Sequence, residues 1–428
     1  MIYKNCIHII AMKIAKMLLA VALISVVSGC ANFRDLAEEV DLLEQVYVEY
    51  QVNINSEHQV ESFVLVLLQQ VDAETIDGYE VVIGNRKITV TADTLSKYLF
   101  TFNDINHDLR FQVGEAFSIT PLTENSDNTE LTITLSETGD IPPTALIDRP
   151  LNNLVNVKIS PAKIGAKAVL NEEKFDRDTA KLGMWKPVTH LLEGNSGVFF
   201  LDKFDSDKTP ILFIHGMNGT ARDFAPLLDK IDKQKYQVWV MNYPSGLPLE
   251  LIANGLNSLI KIIDYRYNVK TLHIVAHSMG GLVAQAYLDL CRNQLGCNDI
   301  ASFTSISSPF GGVSSAQSGI DYAPVVMPAW RDLAPSSDFI GKLFSGSELH
   351  STTPPHLLIF GYKMNGILNQ ESSDGVISLE SQLSNKAQQR SVKVFGLNED
   401  HVSILSNEQL IQTLESFWQE SQQAHTER

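Results

Sequence analysis

Cysteine is scarce in this chain, four residues in 428, and basic residues are outnumbered, 33 Lys and Arg against 50 Asp and Glu. The first shortage excludes a small scaffold stapled by disulfides. The second, a net charge of −17 at pH 7, excludes the basic face that nucleic acid requires. Long apolar runs are missing too: past the first thirty residues no segment has the length and apolarity to cross a bilayer. Apolar residues make up 44% of the chain, ample for folded cores and too few for a polytopic membrane protein. The acidity reads as a solvated surface rather than as a substrate signal.

The N-terminal segment has its own logic. Lys4, Lys13 and Lys16 precede or flank an apolar stretch from Met17 to Val27, the size of a signal-peptide core. That stretch ends in Val27-Ser28-Gly29-Cys30, which resembles the lipobox of bacterial lipoproteins. The resemblance implies that residues 1–29 are removed and that Cys30 is lipidated, anchoring the chain to a leaflet without a spanning helix. Ala31, where an inner-membrane signal has Asp, is similar to the outer-membrane pattern, so a lipid-anchored envelope protein of the bacterial outer membrane is expected. An ordinary signal peptide that happens to contain a cysteine is the alternative. With Cys6 removed and Cys30 lipidated, Cys291 and Cys297 remain for an oxidising compartment. A disulfide between them would pin a turn at a helix end; two free buried thiols are the alternative.

Pattern changes divide the rest. Residues 30–140 read as a small all-β, sandwich-like domain preceded by a short helix from Asn32 to Leu43. Val46–Val52 and Leu131–Leu135 alternate with period two, and Ser62–Leu68 is a continuous apolar run fit for a sandwich core. Ile141-Pro142-Pro143 opens an irregular linker, 141–185. From 186 to 428, short apolar runs alternate with helical stretches, the mark of an α/β fold with a mostly parallel sheet flanked by helices. Strands are expected at Gly197–Leu201, Ile211–His215, Val238–Asn242, Leu272–Ala276, Ser302–Ser307, His356–Gly361 and Ser391–Phe395.

Within that region, Ala276-His277-Ser278-Met279-Gly280 joins an apolar strand to a helix-forming run. A serine between small residues on a sharp strand-to-helix turn has its hydroxyl thrust outward, where it can attack a carbonyl. Such pentapeptides are common by chance, so the weight of this one depends on the rest of a site following in order. Ile211–His215 runs into Gly216; Asp374-Gly375 follows the strand His356–Gly361; His401 lies between the last strand and the last helix.

These four motifs, over residues 186 to 423, resemble the α/β-hydrolase superfamily with its order Ser…Asp…His. The resemblance implies Ser278 as nucleophile, His401 as general base and Asp374 as the acid that orients it, with Glu371 and Asp338 as rivals. The backbone N–H groups of Met217 and Met279 would cradle the oxyanion. His215 would brace the loop, His277 would pack under the elbow, and Asp400 would point away from the imidazole. No metal or cofactor is called for. An apolar insertion, about 313–355, stands where this fold carries a lid, with an ordinary helical excursion as the alternative. Hydrolysis of an acyl lipid or related ester, of lipase or esterase type, is therefore expected. A peptidase, a thioesterase or an envelope transacylase would use the same groups, and a non-catalytic envelope adhesin would rest on the β domain alone.

Overall fold

The computed structural model describes residues 31–43, 47–55, 62–83, 87–122, 129–137, 141–151, 154, 162–293, 300–344, 353–363 and 372–426. The expected signal segment and Cys30 lie outside them.

Residues 31–43 form helix α1. Seven strands follow: β1 (Tyr47–Asn55), β2 (Ser62–Leu68), β3 (Gly78–Ile83), β4 (Lys87–Asp93), β5 (Tyr98–Asn103), β6 (Phe117–Pro121) and β7 (Glu130–Thr134). They make two sheets, β4-β1-β7 and β3-β2-β5-β6. Tyr50, Val52, Ile88 and Ile133 of the first meet Phe63, Leu65, Val82 and Leu99 of the second, so the unit is a sandwich. The four-stranded sheet is covered on its other face as well, by Leu146, Leu151 and Leu154 and by Ile262 from further along the chain. Burial on both faces explains why β2 is continuously apolar while β1 alternates.

The second unit is an eight-stranded sheet in the order β15-β14-β13-β12-β10-β11-β9-β8. Its strands are β8 (Lys163–Lys167), β9 (Gly197–Phe200), β10 (Thr209–Ile214), β11 (Tyr236–Asn242), β12 (Leu272–His277), β13 (Ile300–Ile306), β14 (His356–Gly361) and β15 (Ser391–Leu397). Six are parallel; β9 runs antiparallel to β11, and β8 runs parallel to β9. The helices are α2 (Arg177–Trp185), α3 (Pro187–Leu192), α4 (Ala225–Leu228), α5 (Leu249–Tyr267), α6 (Met279–Asn293), α7 (Ser314–Tyr322), α8 (Pro328–Leu333), α9 (Asp338–Lys342), α10 (Leu379–Gln382), α11 (Asn385–Arg390) and α12 (Glu408–Thr426). Alternate strand residues point to opposite layers. Leu212, Ile214, Ile274 and Ala276 face α5, α6 and the insertion helices, while Ile211, Phe213 and Val275 face α12. On α12 the buried Leu410, Ile411, Leu414, Phe417 and Trp418 recur at helical spacing, and each such large apolar side chain contributes roughly 1.5–3 kcal/mol by burial.

The irregular linker expected at 141–185 needs correction. Its second part belongs to the sheet: β8 pairs with β9, and α2 follows in the same region. β8 is a five-residue edge strand, Lys-Ile-Gly-Ala-Lys, with none of its residues fully buried, so it lacks the apolar run that marks the inner strands. The expected short helix is present but is no spacer. Leu36 is fully buried in the main core, and the Phe33 ring meets Trp185 edge-on at 5.3 Å. Glu39 accepts the Val188 and Thr189 N–H groups at 2.7 and 3.0 Å, placing a carboxylate at the positive end of α3.

Candidate active site

The sheet reverses its winding at β10. β11 lies on one side of β10 and β12 on the other, so the C-terminal ends of β10 and β12 border the crevice where open α/β sheets place ligands. Ser278 stands immediately after β12 with φ of 55°, a left-handed conformation that a non-glycine residue adopts only under constraint. Its N–H bonds the Ile306 carbonyl of the next strand at 2.8 Å, and its own carbonyl accepts from Gly281 N at 2.9 Å as α6 begins. Close approach dictates the glycines around it. A Cβ on Gly280 would stand 2.4 Å from the His215 carbonyl oxygen, and one on Gly216 would stand 2.8 Å from Ser278 Cβ. Ala276 is fully buried where the commoner motif has glycine, and it fits.

Three side chains that the sequence separates widely meet at this elbow. His401 Nε2 lies 2.9 Å from Ser278 Oγ, and His401 Nδ1 lies 2.6 Å from Asp374 Oδ2. Asp374 is wholly buried. Its second oxygen accepts from Val376 N and Ile377 N at 3.0 and 2.7 Å, and its carbonyl accepts from His401 N at 2.9 Å. Burial by itself raises a carboxyl pKa. Here the His401 contact and the two backbone donors outweigh it, and Asp374 is held below the ordinary aspartate range. An ionised carboxylate can only accept, so His401 carries its proton on Nδ1 and leaves Nε2 free to take one from Ser278. Of the rivals, Asp338 occupies the first turn of α9, and Glu371 lies outside the described residues. Asp400 turns outward to Lys363 Nζ at 2.9 Å.

The loop after β10 forms the other wall. Met217 follows Gly216 in this loop and Met279 follows Ser278 at the start of α6; among the described residues neither N–H meets a backbone carbonyl. His215 is buried beneath the loop, stacked on Tyr243 with ring centroids 4.2 Å apart. Its Nδ1 donates to the Gly216 carbonyl at 2.8 Å, and its Nε2 accepts from Tyr243 N at 3.3 Å. Burial drives its pKa down to about 4, so it is a neutral brace. Asn218 N donates to Ser245 Oγ at 2.9 Å, pinning the residue after Met217.

Two buried side chains escape sequence reasoning. Gln382 accepts from Gly361 N at 2.9 Å and donates to the carbonyls of Gly361 and Ile377 at 3.1 and 3.0 Å, tying the end of β14 to the Asp374 turn. Its partners are backbone atoms, which leave no residue signature. His277, expected only to pack beneath the elbow, directs Nε2 at the His401 carbonyl oxygen, 2.8 Å away. The insertion packs down on the sheet. Met327, Phe339 and Phe344 are buried in the main core, Trp330 is partly buried against it, and Tyr322 is exposed. Cys291 is disulfide-bonded; Cys297 lies outside the described residues. Among the described residues no group of three or more His, Cys, Asp or Glu could hold a metal ion.

Residues 211–368 match the model of the alpha/beta hydrolase family, which spans the elbow, the loop after β10 and the strand leading to Asp374. No curated protein sequence matches the chain. Among solved structures, the mature form of a Bacillus licheniformis lipase is similar at 16% identity, covering 51% of this chain and 97% of its own, with a TM-score of 0.42. A Legionella pneumophila phospholipase is similar at 17% identity over 41% of this chain and 45% of its own, TM-score 0.34. Likeness this distant says nothing of substrate.

Proposed function

We propose that this chain, which carries the α/β-hydrolase fold, is a serine carboxylic ester hydrolase of lipase or esterase type. The observation that carries the reading is the continuous relay Ser278 Oγ–His401 Nε2, 2.9 Å, and His401 Nδ1–Asp374 Oδ2, 2.6 Å. As Ser278 Oγ attacks the ester carbonyl, its proton passes to His401 Nε2. Asp374 stabilises the imidazolium and holds its tautomer. The oxyanion is met by the N–H groups of Met217 and Met279, which need no reorganisation to receive it. His401 then gives the proton to the departing alkoxide, leaving an acyl-Ser278 ester. Water attacks that ester, its proton goes to the same Nε2, and the acid leaves as the proton returns to Ser278.

An acyl chain suits the surroundings better than a charged substrate does. Met217, Val313, Val325 and Trp330 are partly buried apolar side chains packed against one core, and they belong to the oxyanion loop and the insertion. We propose further that acylated Cys30 anchors the enzyme in the cell envelope. It adjoins α1, which is itself docked on the catalytic unit.

The test is a panel of p-nitrophenyl esters of graded acyl length, with and without detergent micelles, alongside labelling by a fluorophosphonate. Ser278→Ala should remove both turnover and label. Full turnover in that variant, with the fold intact, would overturn the reading; label without ester turnover would redirect it to amides or thioesters. Intact mass of the envelope form tests the acyl group on Cys30.

A further inference from the structure

The candidate base sits on poor foundations. His401 follows β15, the outermost strand on its side of the sheet, where Val392 and Val394 are exposed. The bonds of Ser403 and Asn407 to Glu399, and of Asp400 N to Ser403 Oγ, shape its loop locally but do not reach the nucleophile. Ser278, by contrast, follows β12, a central strand whose residues are all buried. Proton transfer needs these two unequal supports to hold a distance near 2.9 Å.

His277 bridges them. Its ring is buried, with its centroid 4.8 Å from that of His401, and its Nε2 lies 2.8 Å from the His401 carbonyl oxygen. A carbonyl accepts only, so Nε2 of His277 carries the proton and donates. Burial, with the neighbouring His401 adding to it, drives the His277 pKa down to about 3, and the ring keeps this neutral form at ordinary pH. Two consecutive residues of one rigid strand end thus hold the base at both ends: 277 takes its main chain and 278 meets its ring. The remaining tethers of His401, its N–H and its Nδ1, both run to the Asp374 turn. Among the described residues, the bond from His277 is the one that ties the main chain of the base to the nucleophile's own element.

We propose that His277 is a positioning residue for proton transfer between Ser278 and His401: by donating Nε2–H to the His401 carbonyl, it sets the base against the strand end that bears the nucleophile. The inference rests on the reading of Ser278 and His401 given above. It also explains why a histidine, rather than any bulky residue, occupies the second position of Ala-His-Ser-Met-Gly. The role demands a neutral side-chain donor with the reach of an imidazole.

The experiment compares wild type with His277→Gln, His277→Asn and His277→Leu. Readouts are kcat and KM on a p-nitrophenyl ester, the rate of fluorophosphonate labelling, and thermal unfolding. Glutamine can place an amide N–H near the position of Nε2; asparagine is too short, and leucine has no donor. Since a misplacement of about 1 Å costs on the order of 10²-fold, Leu and Asn should lower kcat and labelling together by about that factor, with KM within about 2-fold and Gln within about 5-fold of wild type. Should leucine fail to fold, the gap between Gln and Asn carries the test. A folded Leu or Asn variant with near-wild-type kcat, or equal losses in Gln and Asn, would overturn the inference. Ser278→Ala runs alongside: turnover surviving there indicts the assignment of the site, whereas its loss together with normal turnover in His277→Leu indicts only His277.

Discussion

The sandwich and the α/β unit both bury polar side chains, but they bind them over very different distances along the chain. In the sandwich most of the partners in the loop after β5 are local; the exception is the Tyr265 hydroxyl of α5, which also donates to Asp104. Asp104 accepts from Leu109 N, five residues on, and Glu115 accepts from Gln112 N and Ile105 N, three and ten residues back. These bonds fold a loop onto itself. In the α/β unit His401 meets Ser278 across 123 residues, His277 meets His401 across 124, and Tyr243 N meets His215 across 28. Those bonds fasten separate elements together. Local bonding gives the sandwich a braced surface, while long-range bonding gives the α/β unit a place where groups from several strands converge. A site for chemistry is built only by the second kind.

Deleting a reactive group in one unit and a packed ring in the other separates the two roles. Ser278→Ala should cost about 10⁴-fold or more in kcat, yet change stability by no more than about 0.5 kcal/mol. Phe100→Ala should do the reverse. Phe100 is fully buried among Phe102, Phe111 and Phe117, and truncation there costs roughly 3–5 kcal/mol. Ester turnover per folded molecule should be unchanged. Calorimetry with active-site titration checks both variants. A Phe100→Ala protein that stays folded but loses turnover would mean that the sandwich takes part in the chemistry, and the division of labour would fall.

The contrast also accounts for what could be read from residues alone. The strand at His356–Gly361 lies where the alternation of apolar runs puts it, and the other inner strands agree to within about two residues at either end. Both faces of the sheet are covered, so inner strands are written as unbroken apolar runs. The meeting of Ser278, Asp374 and His401 is legible because each stands at a fixed place relative to a strand end, and order along the chain preserves that place. The edge strand β8 is not legible: with its Gly165 and partly exposed lysines it has the composition of a loop. Gln382 is hidden for another reason. Its work is done on the backbone of residues 361 and 377, and backbone atoms are alike whatever the sequence. His277 was visible as a residue but not as a donor, because its partner is a carbonyl brought in by the turn at residue 401.

The two units also differ in how their buried groups titrate. His190, His273, His277 and His356 are held down to about 3, and His215 to about 4, each chiefly by burial. In the unfolded chain they titrate near 6.5. Below that pH the unfolded state takes up protons that the folded state refuses, so their contribution is intact above about pH 6.5 and is lost as pH falls towards 4. Each contributes a slope of up to about 1.4 kcal/mol per pH unit. Glu115 in the sandwich is displaced the other way, up to about 6 by burial, so its destabilising effect fades as pH falls through that value. Acid should therefore unfold the α/β unit first. All four tryptophans of the chain, Trp185, Trp239, Trp330 and Trp418, belong to that unit, so indole emission reports on it alone. Emission between pH 7 and 4 should shift before the far-ultraviolet signal of the strands is lost, and His273→Asn should reduce proton uptake on unfolding by roughly one. Coincident transitions would mean that the two units unfold as one.

The smallest effect distinguishes two aspartates within reach of the same loop. Asp374 is wholly buried, spends one oxygen on His401 and the other on two backbone N–H groups, and has no solvent to replace either. Asparagine there would offer a donor or a weaker acceptor to Nδ1 and disturb the tautomer, which in comparable triads costs about 10⁴-fold. Asp400 is next to the proposed base in sequence, but it faces Lys363 at 2.9 Å in an exposed pair and accepts from Val402 N and Ser403 N. An exposed pair of this kind contributes little to stability, and the amide oxygen of asparagine keeps the two backbone bonds. Asp400→Asn should therefore leave kcat within about 2-fold and lower Tm only slightly, an effect that raised salt erases. Steady-state kinetics and thermal unfolding at low and high salt decide it. A large loss of kcat in Asp400→Asn would mean that nearness along the chain outweighs convergence in space, which is the opposite of what the long-range bonds of this unit imply.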